Sequence, residues 1–187
     1  MKKQIPVNDC CHGSAVAVRA LAASAGIQFE GIQAEVYRLR EKFGSDQKKG
    51  YDESIRRMAR GGALSQTEER ALLELGKRGF AVGSDAEFAK FIRHAQALYE
   101  RMSRDPESGP VALAIVGVIA NYAVPSPTKP GRRARVLARR SAHPVRDILL
   151  GVAGGAAGGL WMSGWNPIGG VVGGVVGGIV AGIKALC

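Results

Sequence analysis
The chain has 187 residues, of which 46% are hydrophobic, 22% charged and only 6% aromatic, with a formal net charge of +10. That length suits one domain of ordinary size plus an appendage, and the positive balance points to a polyanionic partner, either nucleic acid or an anionic lipid surface. Three cysteines, with Cys10 and Cys11 adjacent and Cys187 alone, imply no disulfide framework, and Met1–Ala15 has no apolar core of a secretory signal, so synthesis in a reducing cytoplasm is expected.

In chain order, "SAVAVRALAASA" over 14–25 predicts a small-residue helix stopped by Gly26. "EGIQAEVYRLREKF" over 30–43 sets Ile32, Val36, Leu39 and Phe43 on one stripe, with Gly44 as the stop. A third helix is expected over 51–60, ended by Gly61 and Gly62. The fourth, over 65–78, opens on the capping box "SQTE", in which Ser65 and Glu68 satisfy each other's backbone donors. The fifth, over 84–103, opens on "SDAE" and spaces Phe88, Phe91, Ile92, Ala95, Leu98, Tyr99 and Met102 along a buried face. Strand-like alternation is scarce, so residues 1–105 read as a soluble helical bundle.

Residues 106–146 change character. "SRDPESGP" is a linker by composition, and "VALAIVGVIANYAV" over 111–124 is too short to cross a bilayer as a helix, at roughly 21 Å against about 30 Å. A buried core helix, a strand or an interfacial segment fits it. The next stretch carries four prolines and the basic residues Lys129, Arg132, Arg133, Arg135, Arg139, Arg140 and Arg146. Positive charge concentrates late in the chain: residues 111–187 hold 8 Lys and Arg against the single acid Asp147, whereas residues 1–110 hold 18 against 15.

Residues 147–187 repeat glycine at four-residue steps, at Gly151, Gly155 and Gly159 and again at Gly170, Gly174, Gly178 and Gly182. Each interior glycine costs a helix in water about 1 kcal/mol, yet glycines four apart share a face and let a second backbone approach closely. "SGWNPIGG" breaks the tail into two helices of about 16–18 residues, and Trp161 and Trp165 beside the break favour a membrane interface. The glycine pattern resembles glycine-zipper two-helix membrane proteins, including the mature segments of some small bacteriocins. That resemblance covers about 40 residues and implies membrane insertion and self-packing through the glycine faces.

The N-terminal "QIPVNDCCHGSAVAVRALAASAGI" locally resembles papain-like peptidases that process bacteriocin leaders. The resemblance implies Gln4 as oxyanion donor, Cys10 as nucleophile and His143 as base, with Asp147 to orient it. The family places Gly directly after its nucleophile where this chain has Cys11, and its His begins a strand where His143 precedes Pro144. His94 falls inside the fifth helix. Cys10, Cys11 and His12 are too close in sequence to share one tetrahedral metal ion, so no metal and no cofactor are expected.

These readings give an all-α fold: a helical bundle, a basic connector and a glycine-zipper hairpin. The expected function is membrane association and self-assembly, as a permeabilising effector or as a component delivered by a phage or secretion machine. The arginines would meet an anionic membrane surface at about 1 kcal/mol per basic residue. Nucleic acid is the less economical partner, because no aromatic lies between Lys129 and Arg146. A cysteine peptidase or amidase using Cys10, and a structural subunit with its glycine helices buried between copies, are the alternatives.

Overall fold
The computed structural model describes residues 19–20, 22–24, 26–44, 46–121 and 144–186, and among them it is all-helical with no strand, packed as a bundle. Residues 19–20 and 22–24 are helical, and the helices with described bounds are α1 (Phe29–Phe43), α2 (Gln47–Arg60), α3 (Gln66–Phe80), α4 (Asp85–Arg104), α5 (Pro110–Ala120), α6 (Pro144–Met162) and α7 (Pro167–Leu186). Helix starts divide into two kinds. The amphipathic α2, α3 and α4 start on side-chain caps: Asp46 accepts from the Lys49 N–H, Ser65 and Glu68 form the capping box, and Ser84 accepts from the Glu87 N–H. The apolar α5, α6 and α7 each start on a proline, whose missing N–H leaves no donor to satisfy at the first helical position.

α2 starts four residues before its expected Tyr51, because Lys48, Lys49 and Gly50 read as polar punctuation although Gly50 packs on Leu150. The 111–124 segment resolves into the core helix α5, ending at Ala120, with Val111, Ala112, Ile115, Val116 and Ile119 buried. Glu68 does more than cap α3. Its carboxylate accepts from the Ser65 N–H at 2.7 Å and from the Gly109 N–H at 2.6 Å, tying the start of α3 to the start of α5.

The centre of the molecule is α6. Every residue from Ile148 to Leu160 is buried, and the helix packs on α1, α2, α3, α5 and α7. α1 runs antiparallel to it, with Leu39 beside Gly154 and Met162 beside Gly31; α2 runs parallel, with Gly50 beside Leu150 and Gly61 beside Trp165. One continuous core draws on Tyr51, Leu72, Leu98, Ile115, Leu149 and Leu160. Packing therefore crosses the boundaries at 105/106 and 146/147 that sequence character suggests. Tyr51 is wholly buried, donates its hydroxyl to the Leu72 carbonyl at 2.8 Å, and fills the space Gly76 leaves; burial, then the nearby Asp52, pushes its phenol far up.

α6 and α7 meet backbone to backbone. A Cβ at Gly155 would collide with the Gly173 carbonyl oxygen, one at Gly159 with that of Gly169, and one at Gly177 with that of Gly151. The antiparallel pairs are thus 151 with 177, 155 with 173, and 159 with 169. The row Gly170, Gly174 and Gly178 meets side chains of α6 and α5 where the first row meets backbone. Gly170 receives Leu160 and Val111, a Cβ at Gly174 would lie 3.4 Å from the Ala156 methyl, and Gly178 receives Val118 and Val152. Gly182 lies in α7 beyond the residues whose surroundings are described. At 19 and 20 residues α6 and α7 are slightly longer than expected. Among the described residues no helix is long and apolar enough to cross a membrane.

Candidate functional site
The two glycine helices are joined by Ser163–Asn166, and the turn is held by local hydrogen bonds. Gly164 takes φ +65° and its N–H reaches the Trp161 carbonyl, while the Trp165 N–H reaches that of Leu160 at 2.6 Å. That pair of bonds closes α6 with the left-handed residue that glycine adopts without penalty. Asn166 then starts α7, its side-chain oxygen accepting from the Ile168 N–H at 3.0 Å. Trp165 also has positive φ, at 67°, a conformation costing of order 1–3 kcal/mol for a non-glycine residue. Its ring lies on Gly61, where a Cβ would overlap it, and that packing offsets the strain.

The turn brings the hairpin to the surface, in contrast to α6, which is buried from Ile148 to Leu160. Trp161 is 63% exposed, Ile168 62% and Met162 37%, whereas Trp165 is tucked against α2. The two tryptophans, alike in sequence as interface formers, thus have different places. Basic side chains border this apolar tip. The Arg57 guanidinium lies 4.9 Å over the Trp161 ring and its Nη1 reaches Glu35 at 3.4 Å. Arg38 binds the same carboxylate with two bonds of 2.7 Å. That bond, with the charges of Arg38, Arg57 and Lys42, outweighs desolvation and holds Glu35 below the ordinary carboxylate range.

Other residues singled out from the sequence fall in several places. Gln4, Cys10, His143, Arg132, Arg133, Arg135, Arg139 and Arg140 lie outside the described residues. Arg146 is turned inward: its Nη2 donates to the Phe80 carbonyl at 3.2 Å, where a cation complements the exposed carbonyls at the end of α3. Asp147 pairs with Arg40 of α1 at 3.0 Å. His94 is partly buried on α4, and burial, then the Arg78 charge, lowers its pKa. Among the described residues no group of three or more His, Cys, Asp or Glu is placed to hold a metal ion.

Arg57, Met162 and Ile168 are the site residues sequence reasoning missed. The signal available was that Met162 and Ile168 flank the predicted break, whereas nothing in the local sequence of α2 marks Arg57. Their exposure, however, depends on which faces of α6 and α7 the bundle covers. Comparison with protein families, with curated proteins and with solved structures finds no match for this chain.

Proposed function
We propose that this protein attaches to an anionic membrane surface through the α6–α7 turn, while the amphipathic helices keep the rest of the apolar hairpin out of water. The observation that carries the reading is the exposure of Trp161 and Ile168 at the end of a hairpin whose first helix is buried without a break from Ile148 to Leu160. A tryptophan with an arginine over its face suits the headgroup boundary, where the ring is half solvated and the cation meets phosphate. The arginine-rich stretch before α6 adds charge of the right sign.

Self-association through the glycine rows belongs, in this reading, to a second state. Gly151, Gly155 and Gly159 are occupied by the chain's own α7, so a second copy reaches them only after α6 and α7 part. Permeabilisation, if it follows attachment, requires that opening. Burial of α6 from Ile148 to Leu160 by the chain's own helices also removes the need for neighbouring subunits to cover that helix, which disfavours the purely structural alternative.

Vesicle flotation tests the attachment. The full chain should float with phosphatidylglycerol-containing vesicles, and Trp161→Ser with Ile168→Ser should weaken binding about 30-fold, from roughly 2 kcal/mol of apolar contact. Failure of the full chain to float at low salt would remove the proposal, as would a double variant that floats like the parent.

A further inference from the structure
Beside the turn, α1, α2 and α6 leave an open cleft of about 280 Å³, lined by Ala157 and by Arg38, Lys42, Arg57 and Arg60 against Glu35 and Glu53. Four cations face two carboxylates, so the cleft keeps a surplus of two positive charges. We propose that this cleft binds a phosphate-bearing anion of headgroup size, such as a phosphatidylglycerol headgroup or a free phosphate ester of similar bulk; the membrane version of the assignment rests on attachment through the turn.

The geometry gives three reasons. First, the arginines are pre-positioned. Glu35 holds Arg38 in a bidentate pair and reaches Arg57, and Glu53 holds Arg60 at 3.1 Å. A ligand therefore meets guanidinium groups whose rotamer freedom is already reduced. Second, the arrangement depends on the glycine pattern of α6. A methyl at Gly158 would sit 3.2 Å from the Glu35 Cγ, so the missing side chain seats the carboxylate that organises the cations. Third, the cleft shares Arg57 with the exposed tip. Its guanidinium lies between Glu35 in the cleft and the Trp161 ring outside it, so an anion in the cleft and a tip in the lipid boundary engage the same side chain.

The volume is near the lower end of the roughly 300–1,000 Å³ of small-ligand clefts, enough for a phosphate and its polyol but not for acyl chains, which would remain with the tip. A nucleic-acid strand would need a basic track following successive phosphates, and one cleft ending at an apolar tip is a poorer match.

Calorimetry and tryptophan fluorescence on the full chain test this with three probes: inorganic phosphate, glycerol phosphate, and dihexanoyl-phosphatidylglycerol below its micelle concentration. Saturable binding of glycerol phosphate or the short lipid is expected, weakened about 10-fold by Arg57→Gln and by Lys42→Gln and unchanged by Lys77→Gln on α3. Similar affinity for both esters assigns the cleft to free phosphate esters; tighter binding of the lipid assigns it to a membrane headgroup. Lys42 is exposed, so Lys42→Gln carries the test should Arg57→Gln lose its helical circular dichroism. No saturable binding of any probe overturns the proposal. So does an equal loss in Lys77→Gln, which would mean diffuse charge, or tighter binding of a single-stranded oligonucleotide. Flotation on phosphatidylglycerol-containing vesicles, compared between the parent and the Trp161→Ser, Ile168→Ser variant, reads the turn separately. Flotation without anion binding leaves attachment standing and removes the cleft, and anion binding without flotation does the reverse.

Discussion

α2 and α6 run side by side and are built by opposite rules. α2 carries seven charged residues among fourteen, yet it buries one clean stripe of Tyr51, Ser54, Ile55 and Met58. α6 carries only Arg146 and Asp147 near its start and is buried all round from Ile148 to Leu160. In α2 the sequence period decides what faces inward, and the charged face takes water. In α6 no face is free, so what matters is how closely each neighbour can approach, and side-chain volume rather than polarity sets the packing. The glycines of α6 are thus read differently by each partner: Gly155 admits the α7 backbone, Gly154 admits Leu39 of α1, and Gly158 admits Glu35.

The contrast breaks most visibly at the centre. Leu149 is fully buried and touches the Gly79 position of α3, so Leu149→Ala should cost about 2–5 kcal/mol in denaturant unfolding, through lost transfer energy and a cavity. A cost below 1 kcal/mol would mean that α6 is loosely packed. Gly155→Ala comes next. Ala gains about 1 kcal/mol of helix propensity, but its methyl meets backbone that cannot swing aside, so a net loss of about 1–3 kcal/mol is expected.

Gly174→Ala sharpens the comparison by reversing the sign. Its methyl would sit 3.4 Å from the Ala156 Cβ, ordinary contact, so the propensity gain survives and stability should rise by up to about 1 kcal/mol. Thermal unfolding of the two alanine variants in parallel separates the rows; equal destabilisation would contradict the distinct packing of the two faces. The smallest effect lies in the solvated cleft. The folded-state pKa of Glu35 is depressed, chiefly by its bond to Arg38. Its stabilising contribution is therefore complete above the ordinary carboxylate pKa near 4.3 and is lost as pH falls through the lower folded value. Unfolding of Glu35→Gln should lose that part of the acid dependence and leave the neutral-pH slope unchanged.

Polar punctuation made much of this fold readable. Ser65 with Glu68, and Ser84 with the apolar set behind it, mark α3 and α4 within two residues of where they lie. The stripe Ile32, Val36 and Leu39 identifies the buried face of α1. Where the signal was apolar, the sequence spoke less clearly. Val111–Val124 suited a helix, a strand or an interfacial segment, because an apolar run has no polar face to fix its period. The exposed tip was only half legible: Trp161 and Trp165 stand equally near the break, and Arg57 lies 104 positions before Trp161.

By itself, then, the sequence determined an all-α chain, where its amphipathic helices start, that glycine faces exist at four-residue steps, and that the tail folds back at Ser163–Asn166. Those are local matters, settled by caps, period and turn chemistry within a few residues. Only the tertiary structure decided that Gly155 pairs with Gly173 while Gly174 faces Ala156, that Arg146 turns inward to Phe80, and that Trp161 stays exposed while Trp165 covers Gly61. The reason is physical: a glycine-rich helix presents several nearly equivalent surfaces, and the choice among them is made by whichever neighbours fill the remaining volume.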